Sequence, residues 1–247
     1  MKSEKIELQG LKNTRDMGGI INKEGKRIKA HKLIRSGALY HGSEADIERL
    51  YDEYDVRQVI DMRNDTEMAS HPDPLIKDMK LVPLPIFNYT KEGITREDDQ
   101  EAFFARMIES LKGHTEKIIE FMIDLYDQMS TLEEAKENYH TFVKLLLENK
   151  EGSTLWHCSM GKDRCGIGAM IVLNLLDVDE DTIMEDYLYT NDCYDFPKDS
   201  PTYYFDTVRR EYLEKYLQNA GNLSEYIEKE IGVTKEEKEQ FKALYLE

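Results

Sequence analysis

LWHCSMGKDRCGIG, residues 155–168, is the stretch on which the reading of this chain turns. A short apolar run leads into a loop with Cys158 at one end and Arg164 at the other, and an apolar helix follows. Ser159, Met160, Gly161, Lys162 and Asp163 lie between them. A loop of this length wraps a tetrahedral anion. Its backbone N–H groups would form a nest with the helix N-terminus behind them. Arg164 would offer a planar fork to two phosphate oxygens. Cys158 would sit under the phosphorus as a thiolate, its pKa lowered by the same donors. A low-pKa cysteine held against a bound phosphate is a nucleophile for phosphoryl transfer. The plainer reading is a small buried cysteine at a strand end.

Composition bounds the rest. The chain of 247 residues is 40% hydrophobic, long enough to bury a core without disulfides or metals. Its formal charge of −17 argues against nucleic acid and anionic membrane surfaces as partners. Lys162 and Arg164 are a local exception in that acidic field. Three cysteines without a CxxC pairing point to reduced thiols and no structural zinc. The start, MKSEKIELQG, has no apolar signal core, and no run approaches the ~18 apolar residues of a membrane span. A cytoplasmic protein is expected, with export that leaves no N-terminal signal still open.

Outward from the loop, residues 153–157 read as a strand and 166–176 as a helix apolar nearly all round, hence buried. Residues 5–9 suggest an edge strand, Lys32–Arg35 a short strand, and Val56–Met62 a longer one. Ser43 caps a helix running to about Asp52. Asp61 and Arg63 stand at the carboxyl end of the Val56–Met62 strand, where ligands bind in open α/β sheets; an ordinary solvated strand exit fits equally well. Lys80–Leu84 is a strand broken at Pro83 and Pro85, so irregular or at an edge. From Asp98 the pattern is helical for fifty residues, as 98–111, 115–129 and 131–148. Its apolar stripes read as core, or, over 98–112, as a lid. Asp179 opens another helix, and 201–247 reads as packed C-terminal helices. One domain spanning 1–247 is expected, with 98–149 as a helical insertion.

The loop and its surroundings resemble the cysteine-dependent protein tyrosine phosphatase superfamily. Within it the match is to the atypical bacterial, lipid-phosphatase-like members whose loop runs HC-x-x-GKDR. Asn13-Thr14-Arg15-Asp16-Met17-Gly18-Gly19 is similar to their N-x-RD-x-GG signature. Leu33-Ile34-Arg35-Ser36-Gly37 resembles their R-S-G strand end, and Asp61-Met62-Arg63 their D-L-R segment. Asp186-Tyr187-Leu188-Tyr189-Thr190-Asn191 resembles the helix after the loop. The resemblance implies an α/β tyrosine phosphatase fold with a central, mostly parallel sheet between helices. It implies a phosphocysteine mechanism that needs no metal or other cofactor.

Carried over by position, Cys158 is the nucleophile and Arg164 the phosphate clamp. Asp163 is the general acid, with Asp61 its competitor. Ser159 to Arg164 form the phosphate cradle, and Lys162 adds charge near a second substrate phosphate. His157, Cys165 and Asp16 are supporting residues; for His157, orienting the loop and plain packing fit equally. The family has Thr or Ser after the arginine, where this chain has Cys165; that hydroxyl normally donates to the nucleophilic sulfur. Cys165 is then either a resolving partner for an oxidised Cys158 or a tolerated small substitution. The expected activity is hydrolysis of phosphotyrosine, extending to phosphoserine, phosphothreonine or phosphoinositides. The partners are a phosphorylated protein or phosphoinositide and inorganic phosphate in the loop. The competing readings are a catalytically weak phosphate-binding module and a thiol redox or arsenate-reducing protein.

Overall fold

Strand β6 (Ser153–His157) runs through the middle of a six-stranded sheet, and all five of its residues are buried. The structure, a computed structural model, describes residues 3–74, 78–87 and 109–247. The other strands are β1 (Glu4–Lys5), β2 (Arg15–Asp16), β3 (Leu33–Ser36), β4 (Val56–Asp61) and β5 (Lys80–Pro83). Their order is β1-β2-β3-β6-β4-β5. β3, β6, β4 and β5 are parallel neighbours, and β1 and β2 add antiparallel at one edge. Pro83 ends the opposite edge strand, where a missing N–H costs no ladder bond.

Successive side chains of the central strands face opposite ways, and each face has its own core. Ile34, Val59 and Leu155 join Ile47 and Leu50 of helix α1 (Glu44–Asp52) in the smaller one. Leu33, Ile60 and Trp156 join the larger, which helices α3 (Thr115–Thr131), α4 (Glu133–Glu148) and α5 (Arg164–Leu175) cover. Every residue of α5 from Cys165 to Leu175 is buried, as its all-round apolar sequence requires. Helix α6 (Glu180–Leu188), capped by Asp179, packs beside α5. In the C-terminal part, α7 (Arg210–Ala220) packs on α3 and α8 (Lys235–Tyr245) on α4 and α5.

Differences from the sequence expectation have local causes. The first edge strand is confined to Glu4–Lys5, because Gln9 and Gly10 give their N–H groups to the Asp46 carboxylate instead of a neighbouring strand. Asp46 also completes a capping box with Ser43 on α1. Most of the expected lid, 98–108, lies outside the described residues. Among the described residues, no helix is long and apolar enough to cross a membrane.

The parallel register lines up the carboxyl ends of three strands. Ser36 pairs with His157 on one side and Asp61 with His157 on the other. Whatever follows His157 therefore emerges between the exits of β3 and β4, the place where α/β sheets bind ligands.

Candidate active site

Cys158 to Asp163 form the turn between β6 and α5. Gly161 has φ +67°, and a Cβ there would lie 2.3 Å from the Ser36 carbonyl oxygen, so only glycine fits. The loop's carbonyls are held from outside. Asn13 Nδ2 donates to Met160 O (3.2 Å) and Gly161 O (2.9 Å), and Tyr194 Oη donates to Met160 O (2.6 Å). Arg35 Nη2 donates to Gly161 O (2.8 Å), and the Ala38 N–H to Ser159 O (3.2 Å).

Beneath this layer lies a fully buried ionic triad. Asp186 of α6 accepts from Arg15 Nη1 at 3.2 Å and Arg35 Nη1 at 3.0 Å. Arg15 also donates to the Asp186 carbonyl (2.8 Å) and Thr190 Oγ1 (3.2 Å), and Ser3 Oγ donates to the Asp186 carboxylate. One carboxylate faces two guanidinium groups, which leaves a positive excess under the loop. Burial lowers Arg15 to about 10 despite the pull of Asp186. Asp16, expected as a supporting residue, turns elsewhere: it accepts the N–H groups of Gly18 and His31, both at 2.8 Å, and shapes that turn. Its neighbour Arg15 reaches Asp186 instead.

The Cys158 thiol is 2% exposed at the base of the loop. Burial raises its pKa, but the Cys165 thiol, the Arg164 charge and the Cys165 N–H outweigh burial and bring it to about 5. Burial and its bond to Cys158 push Cys165 well up, so Cys165 is the protonated partner and donates to the Cys158 sulfur. No disulfide joins them; both are free thiols.

Arg164, the first residue of α5, forks onto Glu67: Nη1–Oε2 is 2.6 Å and Nη2–Oε1 is 2.9 Å. Met62 O and Ser159 Oγ take further N–H groups, at 3.3 and 3.1 Å. Glu67 belongs to helix α2 (Asp65–Ser70), where it accepts the Asn64 N–H while Asn64 caps Glu67 in return. Burial opposes ionisation of Glu67, yet Arg164 and Ser159 hold it down at about 2. The sequence reading missed Glu67, although the Asn64-x-x-Glu67 capping box was legible.

Asp163 meets Tyr126 Oη at 2.8 Å and Lys162 Nζ at 3.0 Å. The Lys162 ammonium is buried, donates to Phe205 O (2.8 Å) and lies over the Phe205 ring. Asp61 is buried and accepts from Arg63 Nε and Nη2 at 2.9 and 2.7 Å. Arg63 Nη2 reaches Asp73 at 2.9 Å, and His157 Nε2 lies 2.9 Å from the same Asp73 oxygen. Asp61, Asp73 and His157 are spaced closely enough to hold a cation, and the Arg63 guanidinium is the cation between the two carboxylates. Burial lowers His157, but Asp73 and Asp61 outweigh it and raise its pKa.

Above the loop opens a cavity of about 330 Å³. Cys158, Ser159, Met160, Lys162, Asp163 and Arg164 all line it, with Glu67 and Arg63 at one side. Phe87, Phe121, Leu125, Met129 and Phe205 form an apolar wall. Asp61, His157 and Cys165 lie behind the lining.

Residues 6–247 match the model of the tyrosine phosphatase family, and the chain belongs to that family. It is 28% identical over 181 residues to a Cupriavidus necator protein named, on inference, as a tyrosine-protein phosphatase, covering 73% of this chain and 61% of that one. It is 28% identical over 203 residues to the triple specificity protein phosphatase PtpB of Mycobacterium tuberculosis, covering 75% of this chain and 69% of the relative. The chain thus spans about two thirds of the length of these relatives. Among solved structures, the core catalytic domain of the PP-IP phosphatase SIW14 from S. cerevisiae, in complex with citrate, aligns with a TM-score of 0.40 at 10% identity, over 79% of this chain and 85% of that one.

Proposed function

We propose that the protein is a cysteine-dependent phosphomonoesterase acting on phosphotyrosine and related phosphorylated residues. One observation carries this: a cysteine held at a pKa of about 5 lies beside Arg164 at the N-terminus of a buried helix, under an open cavity. With the loop carbonyls bound from outside, the loop N–H groups are left for an anion inside the curl. Glu67, Met62 O and Ser159 Oγ take the Nη hydrogens of Arg164, which leaves its Nε–H and its positive charge for a phosphate.

In the proposed reaction the Cys158 thiolate attacks phosphorus, the bond to the leaving oxygen breaks, and Asp163 gives that oxygen a proton. Water then attacks the phosphocysteine, Asp163 takes its proton, and the thiolate leaves as phosphate forms. Asp61 is the weaker candidate, since Arg63 takes its oxygens behind the cavity wall. The transition state is loose, so charge stabilisation by Arg164 and the loop does most of the work.

The aromatic wall supports an aryl phosphate as substrate. The name of the M. tuberculosis relative supports a range wider than tyrosine. Phosphoinositides remain within that range, although Lys162 is already engaged by Asp163 and Phe205.

The test is p-nitrophenyl phosphate hydrolysis by wild type and Cys158→Ser, with acid-quenched protein weighed for a phosphoryl adduct. Turnover and an adduct in wild type alone support the proposal; equal inactivity with retained phosphate binding overturns it. A second reading, thiol redox chemistry, rests on the Cys158–Cys165 hydrogen bond. Disulfide-coupled reduction of arsenate without phosphatase turnover would favour it.

A further inference from the structure

The proposed acid, Asp163, sits on a loop, yet its carboxylate must point at a leaving oxygen. Tyr126 of α3 is fully buried and does not line the cavity. Its hydroxyl donates to Asp163 Oδ1 at 2.8 Å. Tyr187 of α6 in turn donates to the Tyr126 oxygen at 2.7 Å, its ring edge-on to that of Tyr126. The two hydroxyls thus form a directed chain from the interior to the carboxylate, Tyr187 to Tyr126 to Asp163. Each donor in such a chain strengthens the next. Lys162 holds the other oxygen, Oδ2, at 3.0 Å. Asp163 is therefore gripped at both oxygens, and one grip comes from a separate helix 37 residues earlier in the chain.

We infer that Tyr126 is the positioning residue for Asp163: its hydroxyl fixes the carboxyl that donates to the leaving oxygen, with Tyr187 fixing that hydroxyl. This rests on the reading of Asp163 as the acid. Burial and the neighbouring Asp163 charge push the Tyr126 phenol well up, so it stays a donor across the working range. Among the described residues, the groups acting on Asp163 include the hydroxyls of Tyr126, Tyr187 and Tyr212, the Lys162 ammonium and the Cys158 sulfur. Of these only Tyr126 and Lys162 bond it directly.

The experiment compares wild type, Tyr126→Phe, Tyr187→Phe and Asp163→Asn on aryl and alkyl phosphates across pH. Each Phe variant removes one oxygen and leaves its ring. For Tyr126→Phe, the plateau kcat on alkyl phosphates should fall about tenfold, with p-nitrophenyl phosphate much less affected, because a good leaving group hardly needs the proton. Losing a hydrogen bond to the charged form should also move the basic limb of the profile upward by about one pH unit. Tyr187→Phe should show a smaller shift of the same sign. Asp163→Asn should flatten the basic limb, and Tyr126→Phe should add little to it in the double variant.

A loss of stability in both Phe variants with an unmoved basic limb and equal effects on both substrates overturns the positioning role. That result with a normal Asp163→Asn signature leaves the acid assignment standing. Absence of leaving-group dependence in Asp163→Asn overturns the acid assignment and this inference together.

Discussion

Glu67 accepts both Nη groups of Arg164, at 2.6 and 2.9 Å, while the same carboxylate takes the backbone N–H of Asn64 at 2.9 Å. The charge that aligns Arg164 is therefore also half of the capping box of α2.

Glu67→Gln should loosen both. Breaking a partly buried pair of this kind costs about 2 kcal/mol, less than a fully buried one because both side chains keep some exposure. The pH dependence has a definite sign. Glu67 ionises at about 2 in the folded chain against its ordinary 4.5, so its contribution is full above about pH 4.5 and is lost as pH falls toward 2. Melting curves of both proteins should be separated by a constant amount at neutral pH and converge in acid. A constant gap down to pH 2 would contradict the pairing.

Arg164→Lys keeps the charge and loses the fork. The Glu67 carboxylate would then meet a point charge, and the phosphate would lose the directed Nε–H of a planar guanidinium. Steady-state kinetics should show kcat reduced by about two to three orders of magnitude, with KM changed far less. A near-normal kcat would remove Arg164 from the clamp.

Cys165 supplies the thiol and the N–H that bond Cys158. Cys165→Ala removes the first and keeps the second, so the Cys158 pKa should rise from about 5. Cys165→Ser should keep it low, since a hydroxyl donates at least as well. The pH dependence of iodoacetamide alkylation at Cys158 reads this directly. Identical curves for the alanine and serine variants would mean that the side chain of Cys165 does not matter to the thiolate.

His157 makes the fold sensitive to pH from the other side. Its pKa in the folded chain is above the ordinary 6.5, through Asp73 and Asp61, so the protonated ring is the stabilising form. Its contribution is full below about pH 6.5 and is lost as pH rises through the raised value. Asp73 is itself held below its usual 3.8, although burial opposes this, so it keeps its charge across that window. The midpoint of thermal unfolding should fall on the alkaline side in wild type, and Asp73→Asn should flatten that fall. An unchanged slope in the Asn variant would sever His157 from Asp73.

The strand–loop–helix around Cys158 was legible because its signals are local. An apolar run, a glycine that must take a positive φ and an apolar helix all lie within a few residues of one another. The capping of α1 by Ser43 and of α6 by Asp179 was legible for the same reason. The pairing of Glu67 with Arg164 was not, since 97 residues separate them and only the sheet order brings their elements together. The N-terminal signature pointed to the segment that carries Asn13, Arg15 and Asp16. Asp16 accepts the N–H groups of its own turn, Asn13 holds the loop carbonyls across the chain, and Arg15 holds Asp186. The engagement of Lys162 by the Phe205 carbonyl was not legible either, because that acceptor is a backbone group that residue types do not reveal.

Asp186 lies 171 residues beyond Arg15, and Tyr194 lies 34 beyond Met160. A ribosome has therefore made Cys158 and Arg164 well before it makes the groups that complete the loop's support. Until Asp186 emerges, two guanidinium groups destined for the interior have no counter-ion; until Tyr194 emerges, the Met160 carbonyl lacks a donor. Wide separation of contacts is ordinarily counted as a burden on folding speed. In this chain it also orders events in time: Tyr194, which holds the loop from outside, and Asp186, which holds Arg35 beneath it, are made after the loop itself.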